Sequence, residues 1–186
     1  LLYAGDKGVL REELLDMLYG NGENTNPSGS LRAAVFRLRK TLEGCGLPEH
    51  EYIRTDSGIY RWDGGGVPVY IDAKDFEITA HKALKQRDES LLKKACGLYQ
   101  GEFMAQLAGE KWVSIIGVRY QELYFDCLRM AYYIMKDNRE YTDLLELASD
   151  ACDLYPYEEC QIMKIDCLIA MKRFKDAMQV YDQAVT

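Results

Sequence analysis

The sequence predicts a mainly α-helical protein with one small β-hairpin, divided into two unequal parts. Three observations carry this expectation. Residues 52–62 hold two short β-rich runs around a turn, a spacing of 33 residues recurs in the last third, and Gly64-Gly65-Gly66-Val67-Pro68 interrupts every periodicity. The expected division is therefore a first domain at 1–63, a linker at 64–68 and a helical-repeat domain at 69–186. With 186 residues, 48% hydrophobic and 28% charged, the chain has ample material to bury a core.

In the first part, Arg11 to Tyr19 is a short amphipathic helix stopped by Gly20, and the loop Asn21 to Pro27 follows. Asn26 or Ser28 supplies the N-cap of a second helix, with Gly44 as its stop. Next come Tyr52-Ile53-Arg54-Thr55, a turn at Asp56-Ser57-Gly58, and Ile59-Tyr60-Arg61-Trp62, which together read as a hairpin. Helix, loop, helix and hairpin in that order is the plan of a winged helix-turn-helix.

The second helix stands out by charge. The protein has a formal net charge of -7, yet the four charges within 26–42 are all positive: Arg32, Arg37, Arg39 and Lys40. Leu31, Val35, Leu38 and Leu42 share one side, leaving Arg32, Phe36, Arg37, Arg39 and Lys40 on or near the other. Such a helix buries one seam and offers cations to a polyanion; the competing reading is a plain solvated face. Arg32, Arg37 and Lys40 suit a guanine edge or a phosphate, while Arg39 either does the same or pairs within its domain. Arg54 and Arg61 in the hairpin suit phosphates. The large aromatic Phe36 on the polar side either contacts a thymine methyl group or packs against the hairpin. Residues 1–63 carry eight Lys/Arg against ten Asp/Glu, so any nucleic-acid binding rests on a focused patch with a shallow salt dependence. Dimers or tandem sites are then expected to supply the remaining affinity.

The second part is helical in pattern throughout, with helices expected at 72–87, 89–100, 112–137, 139–154, 157–171 and 173–186. Asp72 is the expected N-cap of the first. Cys127, Met130, Tyr141, Asp143 and Ala151 recur 33 residues later as Cys160, Met163, Phe174, Asp176 and Ala184. A period of that length with two helices per unit marks tetratricopeptide-type helical pairs. The helix from Trp112 is apolar on several sides (Ile115, Ile116, Tyr120, Leu123, Tyr124, Leu128, Ile134), as an inner helix of a stack requires. Tyr120, Tyr124, Met130, Tyr132, Tyr133 and Met135 read as core and groove lining.

Nothing in the pattern suggests catalysis or a cofactor: there is no Gly-rich phosphate loop, and no nucleophile has a nearby base. The six cysteines form no C-x-x-C, and with only His50 and His81 available a metal site is not expected. Five of the six fall in helical apolar patterns, which fits free thiols in a reducing, cytoplasmic compartment. No apolar run reaches the length of a membrane span. The chain opens on Leu1-Leu2-Tyr3 rather than Met, so a trimmed fragment is expected.

These residues resemble a known family. Leu31-Arg32 through Val35, with Arg37-Leu38-Arg39-Lys40 and Leu42, looks like the third-helix pattern of OmpR-type winged-helix regulators. Asp72, Phe76, Ala83 and Leu98-Tyr99-Gln100-Gly101-Glu102-Phe103, followed by Trp112, are similar to the bacterial transcriptional activator domain. Together and in this order they resemble the antibiotic-regulatory-protein class of transcriptional activators. The resemblance implies double-stranded DNA and RNA polymerase or other transcription proteins as partners, with self-association through the repeats. It matches Thr55, Gly58 and Tyr60-Arg61 to the wing, and it makes Asp56 a departure, since relatives commonly place an arginine there. Phe36 likewise stands where the family has a small or polar residue. The family's fold further implies a small sheet before the first helix, which is expected to be missing here, and final helices beyond Thr186.

Two functions are therefore expected to compete. One is a sequence-specific DNA-binding regulator; the other is a tetratricopeptide-like interaction scaffold whose first domain does not bind DNA.

Overall fold

A computed structural model describes residues 1–20, 22 and 24–185. Asn21, Glu23 and Thr186, the first two within the expected loop and the last at the end of the expected final helix, lie outside the described residues. The chain divides into two compact units, Leu1–Ile71 with Gly109–Trp112, and Asp72–Ala108 with Val113–Thr186.

The first unit contains helices α1 (Arg11–Tyr19) and α2 (Pro27–Gly44) and strands β1 (Val9–Leu10), β2 (Ile53–Asp56) and β3 (Ile59–Trp62). The hairpin is joined by a third strand that the sequence reading did not anticipate. β1 pairs antiparallel with β3, Val9 opposite Tyr60 and Leu10 opposite Ile59, giving the order β1-β3-β2. Two residues are too few for a period-2 pattern, so this strand has no signature of its own. Gly8 admits it: at φ 68°, a Cβ there would lie 2.5 Å from Arg61 Cγ and 2.7 Å from the Tyr60 carbonyl oxygen. β2 and β3 are linked through Ser57 (φ 50°) and Gly58 (φ 79°), both left-handed as a two-residue hairpin loop requires.

α2 starts where the sequence places it. The Asn26 side chain accepts the Gly29 amide at 3.0 Å and Pro27 occupies the first helical position, while Gly44 is the last helical residue rather than the stop beyond it. Leu31, Ile53 and Tyr60 form the buried core, with Leu1, Leu14, Leu15, Tyr19, Val35 and Leu42 packed around them. Leu31, Val35 and Leu42 of the expected seam are thus spent on the sheet and α1, whereas Leu38 is 46% exposed, and the other side of α2 faces outward.

The second unit is built from α3 (Asp72–Gln86), α4 (Glu89–Leu98), α5 (Lys111–Asn138) from Val113 onward, α6 (Tyr141–Leu154), α7 (Glu158–Ala170) and α8 (Phe174–Ala184). Asp72 is the first helical residue rather than the cap before it, and its carboxylate accepts the Ala73 amide at 2.7 Å. α3, α5 and α7 all end alike. Arg87, Arg139 and Lys172 take left-handed φ values of 52°, 63° and 61°, and the next amide returns to a carbonyl five residues back. This is the Schellman closure, usually given to glycine. Its threefold recurrence marks the pairs α3/α4, α5/α6 and α7/α8.

The core of this unit is aromatic. Tyr99 and Tyr155, the C-caps of α4 and α6, bring their hydroxyls to 2.7 Å. Tyr99 stacks on Tyr124 of α5 at 4.5 Å, and Phe76 meets Tyr120 edge-on at 5.7 Å. Cys96, Cys127, Cys152, Cys160 and Cys167 are buried and Cys45 is exposed. α5 is flanked on both sides as expected: Arg119 pairs with Glu77 of α3, and Arg129 and Lys136 pair with Glu159 and Asp166 of α7. Tyr120, Tyr124, Tyr132 and Met135 are core, but Ile115 and Tyr133 face out, 62% and 64% exposed. Tyr133 and Met130 instead line an open groove with Leu84, Arg87, Asp126 and Arg129. No described helix is long and apolar enough to cross a membrane.

Candidate nucleic-acid interface

Burying Leu31 and half-burying Val35 and Leu42 turns Arg32, Ala33, Phe36, Arg37 and Lys40 outward on α2, and all five are exposed. Their spacing of three and four residues makes one continuous face. On it, Arg32 and Arg37 have no ion pair among the described residues. The remaining cations named from the sequence are engaged inside the unit.

Arg39 lies at the edge of the buried seam. Its Nη2 and Nε donate to the Ile53 carbonyl oxygen at 2.6 and 3.1 Å, and Nη2 is 3.1 Å from Glu51. It ties α2 to β2. Lys40 is exposed but pairs with Glu43, one turn on, at 2.7 Å.

On the hairpin, Arg54 Nε reaches Asp63 at 2.9 Å and Arg61 Nε donates to the Asp6 carbonyl oxygen at 3.1 Å. Thr55 is exposed opposite Tyr60, and Asp56 is exposed at the tip, where its carboxylate accepts the Ser57 hydroxyl at 3.1 Å. Asp63 is the hub of this side. The Gly65 amide at 2.9 Å, His50 Nε2 at 3.0 Å and Arg54 together hold its carboxyl below the usual carboxylate range.

Phe36 is 63% exposed and is not among the side chains packed on the core of this unit, which favours the outward role over packing. The seam is already filled by Leu31, Ile53 and Tyr60, and Phe36 points away from it.

The structure thus separates the candidate residues into two sets. Arg32, Phe36 and Arg37 share an open face; Arg39, Arg54 and Arg61 brace the unit. Two cations were passed over in the sequence. Lys7 is exposed just before β1, and Arg11 is brought to the hairpin turn by its amide, which donates to the Gly58 carbonyl at 2.8 Å. Only the pairing of β1 with β3 puts them there, and that pairing leaves no local signal.

The second unit, three antiparallel helix pairs closed by identical turns around an aromatic core, defines a helical-repeat protein of the tetratricopeptide kind. Residues 71–186 match the family model of the bacterial transcriptional activator domain, and the chain belongs to that family. The match begins within one residue of the structural boundary at Asp72. No curated protein matches the sequence at a significant level.

Proposed function

We propose that this chain is a sequence-specific, DNA-binding transcriptional regulator of the cytoplasm. Residues 1–63 act as a winged helix that lays α2 in the major groove, and the helical unit contacts RNA polymerase. One observation supports this most: Arg32 and Arg37 are exposed on α2 with no ion pair among the described residues, while its neighbouring cations are engaged elsewhere. Membership of the activator-domain family gives that helix a regulatory setting. With so few free cations, each monomer makes few phosphate contacts. Each phosphate neutralised contributes about -0.9 to the slope of log K against log salt, so two contacts give a slope near -2. Paired copies on tandem sites supply the rest of the affinity.

The engagement of Arg39, Lys40, Arg54 and Arg61, with Asp56 exposed at the hairpin tip, favours a second reading: a protein-interaction scaffold whose first unit does not bind DNA. Selection of bound duplexes from a random-sequence pool by the full chain separates the two. The regulator enriches a repeated motif, and Arg32→Ala and Arg37→Ala each weaken binding about tenfold. A pool that stays unenriched, with both variants behaving as the parent, leaves the scaffold.

A further inference from the structure

The outward face of α2 holds one bulky apolar side chain. Phe36 sits one turn after Arg32, one turn before Lys40 and next to Arg37, with its ring 63% exposed. Two other neighbours on that face are small, Ala33 one turn earlier and Gly29 two turns earlier, and Glu43 two turns later is taken by Lys40. Small residues let a helix approach a groove floor closely, and the flanking arginines fix it to phosphates or guanine edges on either side. Leu38, also partly exposed at 46%, lies on the opposite flank beside Leu31 and Leu42 and shares none of this.

An exposed phenyl ring between cations gains little from water and nothing from ion pairing. The major-groove floor offers one apolar group to meet it, the C5-methyl of thymine, and phenylalanine is among the side chains able to make that contact. We propose that Phe36 is a specificity-determining residue that selects a thymine by its C5-methyl group. This rests on the DNA-binding reading of α2. Contact with one methyl removes about one CH2-equivalent of apolar surface from water, which corresponds to about a fourfold change in Kd. Arg32 and Arg37 set where the helix lies; Phe36 sets what one base pair within that footprint must be.

The test uses the full chain and the duplex enriched from a random pool. Each thymine is replaced in turn by deoxyuridine, which lacks only the methyl group, and Kd is measured for the parent and for Phe36→Ala. The expected result is one thymine per half-site whose replacement weakens the parent about fourfold and leaves Phe36→Ala unchanged. Because Phe36 is exposed, the variant's thermal midpoint should match the parent's, and a matching midpoint excludes misfolding as the cause. Specific binding insensitive to every deoxyuridine, or equally sensitive in both proteins, overturns the inference while leaving the DNA reading intact. An unenriched pool overturns both.

Discussion

Arg39 of α2 closes on the backbone of β2: its guanidinium donates twice to the carbonyl oxygen of Ile53, a residue with no exposed surface. A cation on a basic helix is thereby a structural strut. Without it, a part-buried carbonyl on the open edge of the sheet loses a charge-assisted partner. Arg39→Ala is expected to cost the first unit about 1 kcal/mol, the size of a net hydrogen bond whose acceptor water can partly reach. Hydrogen exchange across residues 27–62 reads this directly. Protection unchanged from the parent would show that the bond carries no net stability.

The Tyr99–Tyr155 hydroxyl pair lends itself to a double-mutant cycle. Each hydroxyl is the other's partner in a buried setting, and burial raises the pKa of both above that of the free phenol. Tyr99→Phe and Tyr155→Phe are each expected to cost about 1 kcal/mol in urea denaturation. The double variant should cost less than the sum, because it leaves neither oxygen orphaned. Strict additivity would mean the two hydroxyls do not interact.

The thiols should divide sharply by reactivity. Burial pushes Cys96 and Cys127 up to about 12 and Cys160 and Cys167 up to about 11, and Cys152 is raised by the same cause. At pH 8 none of these offers appreciable thiolate. Titration of the native protein with a disulfide reagent should count one fast thiol, Cys45, and all six after denaturation. Two or more fast thiols in the native state would contradict the packing.

Asp63 predicts the acid limb of stability in the first unit. The Gly65 amide, His50 and Arg54 depress its carboxyl pKa, so its contribution is fully present above the unfolded value of about 3.9 and is lost as pH falls through the folded value. Asp63→Asn should flatten the stability–pH curve below about pH 4, measured by thermal melts at stepped pH. Parallel curves for the two proteins would remove Asp63 from this role.

Much of the fold is legible in the residues. The helices of the second unit appear within a few residues of the positions expected, because each buries a stripe at helical spacing, and Asn26-Pro27 announces α2 by chemistry that acts locally. What the sequence hides is the long-range pairing. Arg39 and Ile53 are 14 residues apart, Arg61 and Asp6 are 55, and β1 exists only because β3 lies beside it. In sequence the basic stretch leaves open which of its four cations are engaged within the unit, and the hydrogen bonds and ion pairs of Arg39 and Lys40 decide it. The turns at Arg87, Arg139 and Lys172 are equally silent, since a left-handed closure is usually signalled by glycine. The exposure of Phe36 could be learned only by seeing which side chains filled the seam.

The clasps along α5 have a consequence for how the helix pairs are joined. At 28 residues the helix is about 42 Å long, and it is pinned near one end to α3 through Arg119–Glu77 and toward the other to α7 through Arg129–Glu159 and Lys136–Asp166. α5 therefore links the first helix pair of the unit directly to the third, without passing through α6.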